Sequence, residues 1–160
     1  MVTVTLEELR AAVAAVLDPE LPLVTIDELG ILRDVSLVDG HAVVTITPTY
    51  SGCPAMEAIA DDVRAALASV DAEGEVRTAL APAWTTDWIS PSGRLKLAEA
   101  GIAPPGPAGS SGTVMLDLAV RCPRCGSTAT RVVSRFGSTA CKALRVCSDC
   151  AEPFDEFKPL

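Results

Sequence analysis

The chain has 160 residues, enough for one large domain or two small ones but not for a large multidomain enzyme. Hydrophobic residues make up 49% and aromatics 4%, mean hydropathy is +0.33, and 21 acidic against 13 basic residues leave a formal charge of -8. Such a composition folds, which excludes bulk disorder, and its sign opposes a nucleic-acid partner held through phosphate contacts.

The chain opens Met1-Val2-Thr3-Val4-Thr5, without the basic and apolar regions of a secretory leader, so a cytoplasmic protein with reduced thiols is expected. Charges, prolines and glycines interrupt every apolar run well before a membrane-spanning length, so no membrane partner is expected. In a reducing compartment six cysteines point to metal ligands or reactive thiols rather than disulfides.

Thr5-Leu6-Glu7-Glu8 is a capping box, and Leu6, Leu9, Val13, Val16 and Leu17 continue at helical spacing until Asp18-Pro19 and Pro22 stop the pattern. Residues 30–38 and 41–47 read as two strands joined by an Asp39-Gly40 hairpin turn. Pro54 suits the first position of a second helix carrying Met56, Ile59, Val63, Leu67 and Val70. A third strand over 75–80 and a third helix over 92–100, closed by Gly101, complete a small two-layer αββαβα sandwich.

Residues 1–100 hold 6 basic and 16 acidic side chains, whereas 101–160 hold 7 and 5, so the charge divides the chain. The Pro/Gly/Ser-rich run 103–112 is expected to be a linker, giving domains 1–102 and 113–160. Short strands over 114–120, 130–134 and 143–146 enter and leave cysteine pairs. The fold class is therefore α+β, with the sandwich followed by a β-rich zinc ribbon. Its fewer than 50 residues bury too little apolar surface to fold without a staple.

That staple is legible. Cys122-Pro123-Arg124-Cys125 and Cys147-Ser148-Asp149-Cys150 form a CxxC, 21-residue, CxxC pattern that places two thiolate pairs on tight turns facing one metal. Four soft ligands suit a closed, structural, tetrahedral zinc; iron in a rubredoxin-like site is the alternative. Cys141 lies out of register with both pairs and is either a small apolar filler or, beside Lys142, a contact or reactive thiol.

Gly52-Cys53-Pro54 places Cys53 at the expected N-cap of the second helix, where free amides favour a thiolate, and Thr49 adds a hydroxyl to the same loop. A functional thiol and a buried capping cysteine both fit. Asp18, Glu20, Asp27 and Glu28 crowd the loop before the first strand and either flank Cys53 or form a solvated face. Trp84 and Trp88 either cap the core or form a docking edge for a partner. His41, the only histidine, sits beside the hairpin turn and takes no role. With no Glu-x-x-His helix and no glycine-rich phosphate loop, oxygen activation and nucleotide chemistry by this chain are not expected, and no catalytic residue is assigned.

Asp18-Pro19-Glu20, Asp27-Glu28-Leu29-Gly30-Ile31 and Thr49-x-x-Gly52-Cys53-Pro54 together resemble the fingerprint of the SufT-like family of iron–sulfur assembly factors, over residues 5 to 102. With Pro82-x-Trp84-Thr85-Thr86-Asp87-Trp88-Ile89, Phe136-Gly137-Ser138-Thr139-Ala140-Cys141-Lys142 and Pro153-Phe154-x-x-Phe157-Lys158, the whole chain resembles the PaaD family of phenylacetate-CoA oxygenase subunits, also called PaaJ. The resemblance implies an accessory member of the system that epoxidises phenylacetyl-CoA in aerobic phenylacetate degradation. Its partners would be the di-iron oxygenase and the iron–sulfur flavin reductase, and its part would be to assist maturation of an iron or iron–sulfur cofactor. By that resemblance Cys53 is the residue that transiently carries iron or a cluster, with Thr49, Asp27 and Glu28 in support. Alternatives are a structural subunit of the complex and a zinc-ribbon adaptor. Exposed sheet edges make a homodimer the expected self-association.

Overall fold

The computed structural model describes residues 4–106 and 120–159, and the chain divides into two units, Met1–Trp84 and Thr85–Leu160. In the first, Thr5 Oγ1 accepts the N–H of Glu8 while the Glu8 carboxylate accepts the N–H of Thr5, so the expected capping box starts α1 (Leu6–Ala14). Those bonds hold the Glu8 carboxyl below the usual carboxylate range. The helix ends three residues before the expected stop; Leu17 instead bridges to Thr25, and buried Asp18 accepts the N–H groups of Glu20 and Leu21. Asp18 is thus an internal brace of this loop, and its first turn needs no other cap.

Strands β1 (Leu32–Val38) and β2 (His41–Ile46) form the expected hairpin. Asp39 and Gly40 both have positive φ, 50° and 82°, as a two-residue turn of the primed type requires. α2 (Met56–Ser69) buries Ile59, Val63 and Leu67 on one stripe and returns the chain to β3 (Gly74–Thr78), which pairs parallel to β2. The sheet order is β1-β2-β3, with Leu9 and Val13 of α1, the α2 stripe, Val35, Val44 and Ile46 in the core.

Where β3 meets β2 the backbones approach closely: a Cβ on Gly74 would stand 2.4 Å from the Ala42 carbonyl oxygen and 2.7 Å from its Cβ. Gly74→Ala is expected to lower stability by about 1–3 kcal/mol, the usual cost of overpacking. Urea unfolding of the full chain, compared with an alanine at exposed Gly106, measures it.

The second unit begins earlier than the sequence indicated. A 3-10 turn (Thr86–Trp88) leads to α3 (Pro91–Glu99), capped by Ser90, and Arg94 of that helix donates to the carbonyls of Thr86 and Pro105 at 2.7 Å each. Ile102 and Ala103, expected at the domain end and in the linker, are buried as β4 (Ile102–Ala103), parallel to β7 (Pro153–Phe157). The boundary therefore falls after Trp84, not at 102, because β4 completes the second sheet and α3 packs against β4. The remaining strands are β5 (Thr130–Ser134) and β6 (Lys142–Cys147), in the order β4-β7-β6-β5. The expected strand over 114–120 lies, except Val120, outside the described residues, as does the rest of the expected linker from 107 onward.

Buried Arg145 on β6 bonds Glu156 on β7 at 2.5 Å and reaches Thr130 Oγ1 on β5 at 3.4 Å, so one cation ties three strands. Among the described residues no helix is long and apolar enough to cross a membrane.

Candidate metal centre and thiol site

Each CxxC sits on a turn. The Gly126 N–H donates to Cys122 O and the Cys122 N–H to Ser127 O, while the Cys147 N–H donates to Glu152 O, and Ala151 takes a positive φ of 60° where the second turn reverses. These turns bring the four Sγ atoms of Cys122, Cys125, Cys147 and Cys150 within 4.8 Å of one another. Cys122 and Cys150 are 3.7 Å apart, and Cys125 and Cys147 3.6 Å. Zinc at about 2.3 Å from four sulfurs in a tetrahedron needs S–S separations of about 3.8 Å, so the donor set fits one zinc with no open position.

The surroundings complete the fit. Ala103, Phe154 and Val120 pack against Cys122, Cys147 and Cys150, giving the sulfurs an apolar wall. Backbone N–H groups of Cys150 and Asp149 stabilise the Cys147 thiolate and lower its pKa to about 7. At Cys125 the Ser127 N–H favours the thiolate, but burial and the neighbouring thiols Cys150, Cys147 and Cys122 outweigh it, and the pKa is pushed up to about 12. Cys147 is thus poised to ionise near neutral pH, and a cation that binds Cys125 must displace its proton. Two polar bridges that the sequence reading missed join the knuckles: Arg124 to Glu152, and Ser127 to Asp149. Arg124 and Asp149 hold the same place in the two CxxC turns, but each bonds a residue just past the other turn, Glu152 and Ser127, rather than the other.

The first unit offers a different arrangement. Because Leu32 pairs with Ile46 and Ile46 with Thr78, the loops before β1, after β2 and after β3 all leave one end of the sheet. That end carries Asp27 and Glu28, Thr49 to Cys53, and Trp84. It is also the carboxyl end of the parallel pair β2 and β3, the end at which open α/β sheets place ligands. Trp84 donates from Nε1 to Leu29 O at 2.9 Å, binding the third loop to the first.

Cys53 is half-buried, and its position differs from the expectation. Ala55 is the N-cap of α2, and Cys53 lies on the turn before it, its N–H donating to Tyr50 O at 3.3 Å and its carbonyl accepting the Met56 N–H at 3.4 Å. Pro54 and Ala55 extend the turn, which is why the helix starts later. Gly52, with φ 92° and open space around it, lets the turn form. Of the acidic candidates, Glu28 accepts the Thr25 N–H at 3.0 Å, and Asp27 lines an open groove of about 410 Å³ with Glu7, Arg10, Arg33 and Asp34.

Among the residues considered for partner contact, Trp84 and Cys141 are buried, each 5% exposed, and Trp88 is half-buried. Cys141 lies 3.0 Å from Thr139 Oγ1. Burial gives Trp84 and Cys141 to the interior of their own units, leaving Trp88 as the one with appreciable surface.

Against known proteins, residues 106–158 match the family described as PaaD zinc beta ribbon domain, and residues 6–78 the family described as iron-sulfur cluster assembly protein. The chain is 47% identical over 152 residues, 94% of its length and 91% of the relative's, to a putative 1,2-phenylacetyl-CoA epoxidase subunit of Escherichia coli K12. It is 37% identical, over 57% of its length and 91% of the relative's, to an Fe-S protein maturation auxiliary factor of Bacillus subtilis. A solved structure from Bacillus anthracis, a domain of unknown function DUF59, covers 57% of this chain and 90% of that one with TM-score 0.53 and 34% identity. An assembly-type α+β unit and a four-cysteine ribbon thus share one chain, as its likeness to the E. coli protein over nearly the whole length requires, and the chain belongs to the PaaD family.

Proposed function

We propose that the chain is an accessory protein of a phenylacetyl-CoA epoxidase system that helps a partner subunit acquire its iron or iron–sulfur cofactor. The observation that supports this reading is the joining, in one chain, of a unit matching the iron–sulfur assembly family to a ribbon matching the PaaD family. In this reading the Cys53 thiolate ligates iron or a cluster transiently, and the cargo leaves by exchange of that ligand for one on the recipient. In the same reading Thr49, Asp27 and Glu28, on loops that leave the same sheet end, support the thiol. Cys122, Cys125, Cys147 and Cys150 hold a zinc that supplies no chemistry beyond fixing the ribbon. Its oxygenase and reductase partners, and its cytoplasmic setting, follow from the same reading.

The test is the iron, labile sulfide and flavin content of the oxygenase and reductase subunits, produced anaerobically with and without this chain. A deficit of iron that appears only when the chain is missing is the expected result. Unchanged cofactor content with lowered epoxidation overturns it in favour of a structural subunit, the reading that the name of the E. coli relative favours.

A further inference from the structure

The two knuckles of the ribbon repeat one another, and the bonds between them follow the same symmetry. Matched by chain position, Cys122 corresponds to Cys147 and Cys125 to Cys150, which sets Arg124 on Asp149, Gly126 on Ala151 and Ser127 on Glu152. The backbone keeps this correspondence. The Cys122 N–H donates to Ser127 O and the Cys147 N–H to Glu152 O, both at 2.9 Å, and Gly126 and Ala151 both take positive φ, 74° and 60°. The sulfurs keep it too. The first of each pair lies against the second of the other, at 3.7 Å for Cys122 and Cys150 and 3.6 Å for Cys147 and Cys125. The links from Arg124 to Glu152 and from Asp149 to Ser127 are then one crossed link, repeated by an approximate twofold axis through the four-sulfur site.

The sulfurs differ in what holds them. Cys122 and Cys147, first in each pair, are buried with Ala103 and Phe154, whereas Cys125 is exposed and Cys150 only half-buried. A competing ligand comes from solvent, so displacement of a closed tetrahedral site begins at the outer sulfurs. The bridge residues bracket those two: Arg124 and Ser127 stand one before and two after Cys125, and Asp149 and Glu152 one before and two after Cys150. Parting the outer sulfurs pulls on both bridges at once. Ser127 Oγ also accepts the Ala129 N–H at 3.0 Å, which orients the hydroxyl and leaves its proton for Asp149.

We infer that Arg124, Ser127, Asp149 and Glu152 are positioning residues of the metal centre: their crossed bridges latch the outer cysteines together and set how slowly the ribbon gives up its ion. The core holds the inner sulfurs, and the bridges hold the outer ones. This goes beyond the maturation reading and holds whether or not Cys53 carries cargo. Its sign is diagnostic. Four thiolates around one divalent cation leave the centre anionic, so removing a nearby carboxylate would by charge alone favour the loaded site, whereas cutting a latch speeds loss.

The test uses the full-length, zinc-loaded chain and follows zinc loss to an excess of a neutral polypyridyl chelator. Timed desalting and elemental analysis give each rate on the loaded fraction. Glu152→Ala and Asp149→Ala are each expected to speed loss by about two- to fivefold, the range of an exposed polar pair, and the double variant by about tenfold. Arg64→Gln, which cuts an exposed ion pair with Asp61 in the first unit, should lose zinc at the wild-type rate. Arg124→Glu should be at least as fast as Glu152→Ala. Arg124→Glu combined with Glu152→Arg should return to within about twofold of wild type, since the swap rebuilds the bridge with its charges reversed. Carboxylate variants that lose zinc at the wild-type rate, or more slowly, overturn the proposal, as does acceleration by Arg64→Gln. A swapped variant that stays fast overturns it too, because the charges would then act on the thiolates singly and not through the bridge.

Discussion

Cys147→Ser is expected to empty the four-cysteine site and unfold the ribbon while leaving the first unit intact. Structural zinc contributes about 10–16 kcal/mol to the folding of small thiolate modules, against a total stability of about 5–15 kcal/mol for an ordinary domain. The ribbon has few large buried side chains of its own, Phe154 and Phe157 foremost, and part of its core consists of the ligand cysteines Cys122 and Cys147. Losing one thiolate therefore removes both a ligand and a wall of that core. The first unit has an independent core in Leu9, Val13, Val24, Ile26, Leu29, Ile46, Ile59, Val63 and Leu67. Elemental analysis and amide NMR check this: zinc should vanish, resonances of 120–159 should collapse to unfolded positions, and those of 4–84 should persist. A variant that keeps one zinc per chain and a dispersed ribbon spectrum would show that the site is not the staple. Acid should act in the same direction, since thiolates must be protonated as metal leaves.

The second large effect is expected from Cys53→Ser, and it is a loss of function without a loss of fold. The bonds that hold this turn run through the backbone, from the Cys53 N–H to Tyr50 and from the Met56 N–H to the Cys53 carbonyl, so serine keeps them. Stability should change by less than about 1 kcal/mol, as for other substitutions that create neither a cavity nor a buried orphan. Serine is a poor ligand for iron at neutral pH, whereas a thiolate is a good one. Partner subunits matured with the variant should therefore contain as little iron as those made without the chain. Wild-type iron content with Cys53→Ser would remove the thiol from the mechanism.

What could be read from the sequence follows the range of the interactions involved. Short-range devices were legible: the Thr5 and Glu8 box, the Asp39-Gly40 turn, the apolar stripe of α2 and the spacing of the four cysteines each involve residues a few positions apart. The parallel pairing of β3 with β2 needed the crossover, and only the structure places the acidic loop, the Cys53 turn and Trp84 at one sheet end. Cys53 itself was misplaced by two residues because Pro54 reads equally well as a first helical residue and as a turn residue. The acidic loop was read as a whole, although Asp18 is a buried brace and Asp27 lines a groove. Nothing local in Ile102-Ala103 announces a strand of two residues whose partner lies some fifty positions away, and the proline-rich stretch after it disguises the pairing.

That short strand has an evolutionary consequence. Shuffling of domains preserves function only where the cut leaves each piece able to fold, and the recognisable ribbon, 106–158, is not such a piece. Ala103 lies against the ligand cysteines and Arg94 clasps Pro105, so a ribbon inherited from residue 106 would arrive without part of its own interior. The unit that keeps this interior together is Thr85–Leu160. Recombination between relatives, or a chimera built at the bench, should place its crossover beside Trp84, where the chain passes from one interior to the other.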